Sequence, residues 1–249
     1  MSTTTRPIAA AAATPAKLSP RAANRAARLT GILFLVTYAT SIPAVPLYAG
    51  LNDPDFVLGA GSVGPVQLGA FLEVILIAAN IGTAVALWPV LRRPFPALSL
   101  GFVGARIIES AFIGAGVLTV LAQVTMRDNP AGASNATLSA VGASLEALHD
   151  WTFALGPGVV VGVGNGMLLG YMLYRSGLVP RGMAMLGIVG GPLLVLSGTA
   201  VIFGLYEQVT PVALVASLPE FVWELSLGIY LTVKGFRSSS LTSPQGASA

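Results

Sequence analysis

The chain has 249 residues, 54% of them hydrophobic and 9% charged, with a mean hydropathy of +0.79. Soluble domains carry about 25% charged residues, so the composition excludes an ordinary soluble fold and leaves room for one polytopic membrane domain. There is no cysteine and His149 is the single histidine, which removes disulfides and thiolate-held metals and argues against histidine-based metal or haem sites. No metal and no cofactor is expected.

A net charge of +3 and a pI near 9.5 would fit nucleic acid only if the basic residues were clustered. They stand singly or in pairs at the ends of apolar runs, as membrane topology signals do, so no nucleic-acid partner is expected. Arginine outnumbers lysine 11 to 2 and Ala, Gly and Pro are abundant, a usage associated with GC-rich bacterial coding.

Residues 1–28 are rich in Ala, Thr, Ser and Pro, with Arg6, Lys17, Arg21, Arg25 and Arg28 and no acid. Such a segment buries too little apolar surface to fold and reads as a disordered tail; residues 235–249 read as a second. The run at 8–13 is too short and alanine-rich for a secretory signal. The tail has the basic, acid-free look of a transit peptide, but a cytoplasmic anchor is the preferred reading.

Six apolar stretches then reach the ~20 residues needed to span a bilayer, at about 29–50, 67–91, 98–123, 149–174, 182–205 and 212–233. Pro43, Pro46, Pro89, Pro157, Pro192 and Pro219 fall inside them as kink candidates, tolerable in a membrane because neighbouring groups re-satisfy the freed backbone. The expected fold is an all-α bundle of about six transmembrane helices. With the N-terminus inside, 11 of the 13 Lys and Arg lie on the inner face, so both termini are expected in the cytoplasm and the protein in the plasma membrane.

The second stretch carries Glu73 and Asn80, seven apart, so both fall on one helix face. The third carries Arg106 and Glu109 near its middle, where a lone charge costs ~3 kcal/mol to well over 10. These two are three apart and share a face that continues through Gly116 to Gln123. In the connection that follows, Leu138, Val141, Leu145 and Leu148 have helical spacing, which suggests an interfacial helix on the outer surface.

The fourth stretch opens with Glu146, His149 and Asp150. Glu146-x-x-His149 has the spacing of half a di-iron carboxylate motif, but no second histidine exists. His149 beside Asp150 could serve as a general base with its orienting acid, or as an interfacial pair beside Trp151. Gly158, Gly162, Gly166 and Gly170 then repeat every four residues, a small-residue ridge that permits close helix approach.

The sixth stretch presents Glu220 and Glu224 one turn apart. Arg106 is the sole intramembrane cation against Glu73, Glu109, Glu220 and Glu224, and one guanidinium cannot neutralise four carboxylates. Either Arg106 and an acid form a buried clasp that fixes helix register, or the group belongs to a pocket or pathway. Arg106 snorkelling to the interface is the third reading.

Three runs carry a family likeness: Ala105-Arg106-Ile107-Ile108-Glu109, residues 171–181 (YMLYRSGLVPR), and residues 218–225 (LPEFVWEL) followed by Lys234-Gly235-Phe236. They resemble the uncharacterised prokaryotic membrane family called domain of unknown function 4386, over about residues 28–237. The resemblance implies a multi-span membrane protein and brings no activity, so no site residues transfer from it.

Three functional classes follow. The first is a membrane protein of otherwise unknown role whose charged core binds or passes a small ion or solute. The second is a structural or accessory subunit, with the glycine ridge as its surface for a second copy or a membrane partner. The third is an intramembrane enzyme built on His149, Asp150 and Glu146. Catalysis is the least supported of the three, since no nucleophile motif accompanies that group.

Overall fold

In the computed structural model, which describes residues 18–237, every regular element is helical. The helices are α1 (Pro20–Leu47), α2 (Val63–Leu91), α3 (Pro96–Asp128), α4 (Asn135–Leu155), α5 (Gly170–Ser176), α6 (Arg181–Ile202) and α7 (Pro211–Val233). Two π-helical segments, Gly156–Val160 and Gly162–Leu169, join α4 to α5 as one rod. Among the described residues, six helices are long and apolar enough to cross a membrane: α1, α2, α3, the α4–α5 rod, α6 and α7. The fold is that of a multi-pass, all-α membrane bundle.

Local chemistry sets the helix starts. Ser19 Oγ accepts from the Ala22 N–H at 3.2 Å and Pro20 occupies the first turn. Thr210 and Pro211 repeat the arrangement at α7, and Ser134 caps α4. Hydroxyl caps and first-turn prolines both suit the unpaired N–H groups of a helix start. The rod ends on Gly177, whose φ of 64° is the left-handed geometry glycine adopts freely. Pro43, Pro46, Pro89, Pro192 and Pro219 lie within their helices and end none of them.

α1 begins eight residues before the expected end of the N-terminal tail. Residues 20–28 are mainly Ala and Arg, both strong helix formers, and Ala23 and Ala27 are buried in the core. At the other terminus, Phe236 is buried too, with its N–H donated to Asn24 Oδ1 at 3.0 Å. Structure therefore extends to Arg237, whose N–H bonds Leu178 O. The remainder of the tails expected at 1–28 and 235–249, residues 1–17 and 238–249, lies outside the described residues.

The helices form a closed ring. α1 packs on α2, α2 on α3, α3 on α4 and the π-helical stretch, that stretch and α5 on α6, α6 on α7, and α7 back on α1. Gly31 permits this closure. A Cβ there would lie 2.6 Å from Thr232 Oγ1 and 2.7 Å from Gly228 O, so α1 and α7 touch backbone to backbone.

The two ends of the ring are packed differently. At the end holding the described termini, Trp223, Phe34, Phe102, Leu87, Leu169 and Met172 fill the centre. At the far end, Tyr48, Leu51, Phe56, Val57, Val120 and Leu138 form a second cluster drawn from α1 to α4 and the connection between α1 and α2. The α6–α7 hairpin supplies nothing to that cluster. Its far half therefore stands away from the opposite wall, and a space opens between them.

The expected interfacial helix does not form as a separate element. Residues 135–176 make a single 42-residue rod, about 60 Å at 1.5 Å per residue, so one end projects well past a ~30 Å bilayer core. Leu138 is buried under the first far-end connection, and Gly142 lies against Val57 of the same segment. That packing ties this end of the rod to the connection between α1 and α2.

Arg127 secures the same connection. Its guanidinium donates to Phe56 O (3.2 Å), Gly59 O (2.8 Å), Gly61 O (3.0 Å) and Ala60 O, and stacks over the Phe56 ring at 5.1 Å. Arg127→Ala should cost about 2 kcal/mol, the scale of charged hydrogen bonds. Limited proteolysis should show residues 53–62 cut several times faster than in wild type, and an unchanged cleavage pattern would exclude this role.

Candidate functional site

α3 places Arg106 ten residues from its start, ~15 Å along the axis. Its side chain is buried, and Nη1 lies 2.7 Å from Glu109 Oε2 in an ion pair one turn apart. α2 completes the unit through Asn80. Asn80 donates Nδ2–H to Glu109 Oε1 at 2.9 Å and accepts from Arg106 Nη2 through Oδ1. Arg106 Nε also reaches the Asn80 carbonyl at 3.4 Å, and the guanidinium lies over Phe34 of α1 at 5.8 Å. Arg106, Glu109 and Asn80 thus satisfy one another, and the clasp is a triad across two helices.

α7 brings Glu220 and Glu224 to the same region. Glu224 is half-buried and accepts from the side-chain amide of Asn165 in the π-helical stretch. Asn165 is held in turn, its carbonyl accepting from Trp223 Nε1 at 3.0 Å. Glu220 is 3% exposed, and neither carboxyl oxygen has a hydrogen-bond partner. Buried polar side chains almost always have a partner, which marks this carboxyl as unusual.

These groups border a cavity of about 400 Å³ at the centre of the ring. Arg106, Glu109, Asn80, Glu73, Glu220 and Glu224 are among its polar lining residues, and Leu76, Ile113, Val161 and Leu194 are among its apolar walls. Tyr38 and Phe221 also line it, edge to face at 5.0 Å, with the Tyr38 hydroxyl donated to Phe221 O at 2.7 Å. Ile42, Val45 and Leu214 line the cavity yet are each more than half exposed. They mark a mouth between the far halves of α1 and α7.

Glu73 is separate from the triad. It accepts from the Tyr48 hydroxyl at 2.7 Å, and Tyr48 meets the His149 ring edge-on at 5.2 Å. Seven residues are two turns, so Glu73 and Asn80 share a face but differ in depth by ~10 Å. His149 turns into the cavity, with Nδ1 3.3 Å from Gly116 O, and Gly116 leaves room for the ring. Asp150 is exposed and borders a shallower depression with Trp151, Tyr206 and Glu207. Glu146 is half-buried and lines neither space. Glu146, His149 and Asp150 thus lie within about one turn of α4, with His149 on the cavity side and Asp150 on the shallower depression. Among the described residues no group of three or more His, Asp or Glu could hold a metal ion.

The glycine ridge is covered within the chain. A Cβ on Gly162 would meet Gly191 O and Val195, and one on Gly170 would meet Ile188 N and Ala184 O, all on α6. Gly166 faces both Gly191 and Glu220 Oε2. Gly158 lies under Gly198 of α6, where a Cβ on Gly198 would come within 3.4 Å of its carbonyl. The ridge serves α6, which leaves it covered to a partner subunit.

Sequence reading missed Asn165, Tyr38 and Tyr48. Asn165 was legible as an amide in mid-span, but it stands among Gly162, Gly164 and Gly166 and reads as part of their run. The tyrosines carry no such signal, since tyrosine in an apolar helix is commonplace.

Fold and site together define a polytopic membrane protein with a charged, partly enclosed central cavity. The family model for a domain of unknown function (DUF4386) matches residues 29–235, and the chain belongs to that family. No curated protein and no solved structure matches it.

Proposed function

We propose that this protein sits in a bacterial plasma membrane with both termini cytoplasmic, and binds a small ion or solute in the central cavity. The observation that carries the reading is a central cavity of about 400 Å³ whose lining includes Glu220 and Glu224, the first a buried carboxyl with both oxygens enclosed and unpartnered. Small-molecule sites are apolar pockets of roughly 300–1,000 Å³ with a few convergent polar groups. Leaving a carboxyl unpaired in an apolar surround is costly, and a bound partner removes the cost.

The concentration of Lys and Arg on one side supports that orientation and, with it, a cavity open to the outside. The core around Trp223 and Phe34 closes the other end, so passage through the membrane would require that plug to part. Arg106, Glu109 and Asn80 act in this reading as the rigid base of the site, and Glu220 and Glu224 as the groups that meet the solute.

Native mass spectrometry of the purified protein tests this directly. A reproducible bound mass is expected in wild type and should be lost in Glu220→Gln. Thermal unfolding of the same variant should be unchanged or raised, because an unpaired buried acid is replaced by a neutral group of equal size. Retained solute with a lowered melting temperature would show Glu220 to be structural and overturn the assignment.

A further inference from the structure

The ligand class follows from which carboxyls on the cavity wall have no cation bonded to them. Arg106 directs Nη1 to Glu109, and Nη2 and Nε to Asn80. Glu73 has a tyrosine hydroxyl as its donor, Glu224 a neutral amide, and Glu220 none. Two carboxyls one turn apart on α7 therefore share the cavity wall with no cation bonded to either. From this we infer that the site takes a monovalent organic cation, a substituted ammonium with an apolar body. The inference rests on the solute-binding reading above and narrows it.

The walls choose an organic cation over a bare metal ion. A hard metal ion needs six or more oxygen ligands, and the described residues hold no cluster of three acids or histidines that could supply a centre for them. Leu76, Ile113, Val161 and Leu194 instead offer contacts for a hydrocarbon body. The Tyr38–Phe221 pair borders the same space and is fixed by the Tyr38 hydroxyl bond, placing aromatic rings beside the carboxyls, where ammonium groups are attracted. The mouth at Ile42, Val45 and Leu214 is apolar and exposed. It would admit an amphiphile from the membrane and offers nothing to a hydrated ion.

Isothermal titration in lipid nanodiscs decides this. Benzyltrimethylammonium is the cationic probe, benzyl alcohol the neutral one, and potassium chloride at matched ionic strength the bare-ion comparison, each against empty discs. Saturable binding is expected for the first alone, weakened at least 10-fold in Glu220→Gln and in Glu224→Gln. Equal binding of benzyl alcohol, or saturable binding of potassium that displaces the probe, would overturn the ligand class. The wild-type comparison needs no variant to fold. If wild type retains a native mass but ignores benzyltrimethylammonium, the class fails and the solute site stands. If it retains no mass and binds no probe, both fail.

Discussion

Arg106→Ala is expected to lower stability by about 3–5 kcal/mol, the usual result of removing one partner from a buried ion pair. For a domain of this size, that corresponds to a fall in melting temperature on the order of 10 °C. Arg106 is 2% exposed. Its loss would leave Glu109 buried with only the Asn80 amide, and Asn80 Oδ1 without a donor. The penalty comes from the groups left behind. Arg106→Met combined with Glu109→Met and Asn80→Leu should therefore recover most of the loss, since apolar groups of similar volume replace a buried polar unit at little cost when no member is left behind. Arg106→Lys should rescue poorly, because an ammonium lacks the planar fork that serves Glu109 and Asn80 together. Unfolding followed by fluorescence or calorimetry in one detergent would read all four proteins. If Arg106→Ala melts within about 1 °C of wild type, the triad contributes no stability and the clasp is refuted.

The fold was legible because membrane helices announce themselves. Six runs of ~20 apolar residues cannot be soluble connections, and boundary errors of several residues do not change their number. The site was legible only in part, and depth explains the difference. Arg106 and Glu109 are three apart on one helix, so their pairing needs no knowledge of the neighbours. Asn80 joins them from α2, which depends on how two helices are rotated against each other. Glu73 shares Asn80's face yet binds Tyr48 two turns away. A helical pattern gives direction around the axis, while partners are also chosen by height along it. The start of α1 was obscured for another reason. Residues 20–28 have the composition of a tail, but Ser19 and Pro20 carry a helix-start signal that their alanine- and arginine-rich surroundings hid. Glu220 shows the remaining limit. Its position in a span was plain from the sequence, but its lack of a partner appears only when every neighbouring helix is in place.

Gly166→Ala is expected to be strongly damaging, and it separates the glycine's two roles. A Cβ at Gly166 would collide with the Gly191 backbone, 2.8 Å from its nitrogen and closer still to its Cα, and would lie 2.6 Å from Glu220 Oε2. Overpacking of this kind costs about 1–3 kcal/mol, and the α6 backbone cannot yield as a flexible side chain can. Gly104 supplies the control, since nothing lies within 4 Å of a Cβ built there. Gly104→Ala should be neutral or stabilising by about 0.5–1 kcal/mol, the helical preference for alanine over glycine. Adding Glu220→Ala to Gly166→Ala removes the side-chain clash and leaves the backbone clash. Continued destabilisation of that double variant would show that α6 contact dominates. Full recovery would show instead that Gly166 is small chiefly to admit the Glu220 carboxyl. The contacts favour the first outcome, because Gly162, Gly166 and Gly170 all meet α6, and only Gly166 also meets an acid. On that outcome, the ridge brings the rod against α6 and thereby sets the depth at which Glu220 is enclosed.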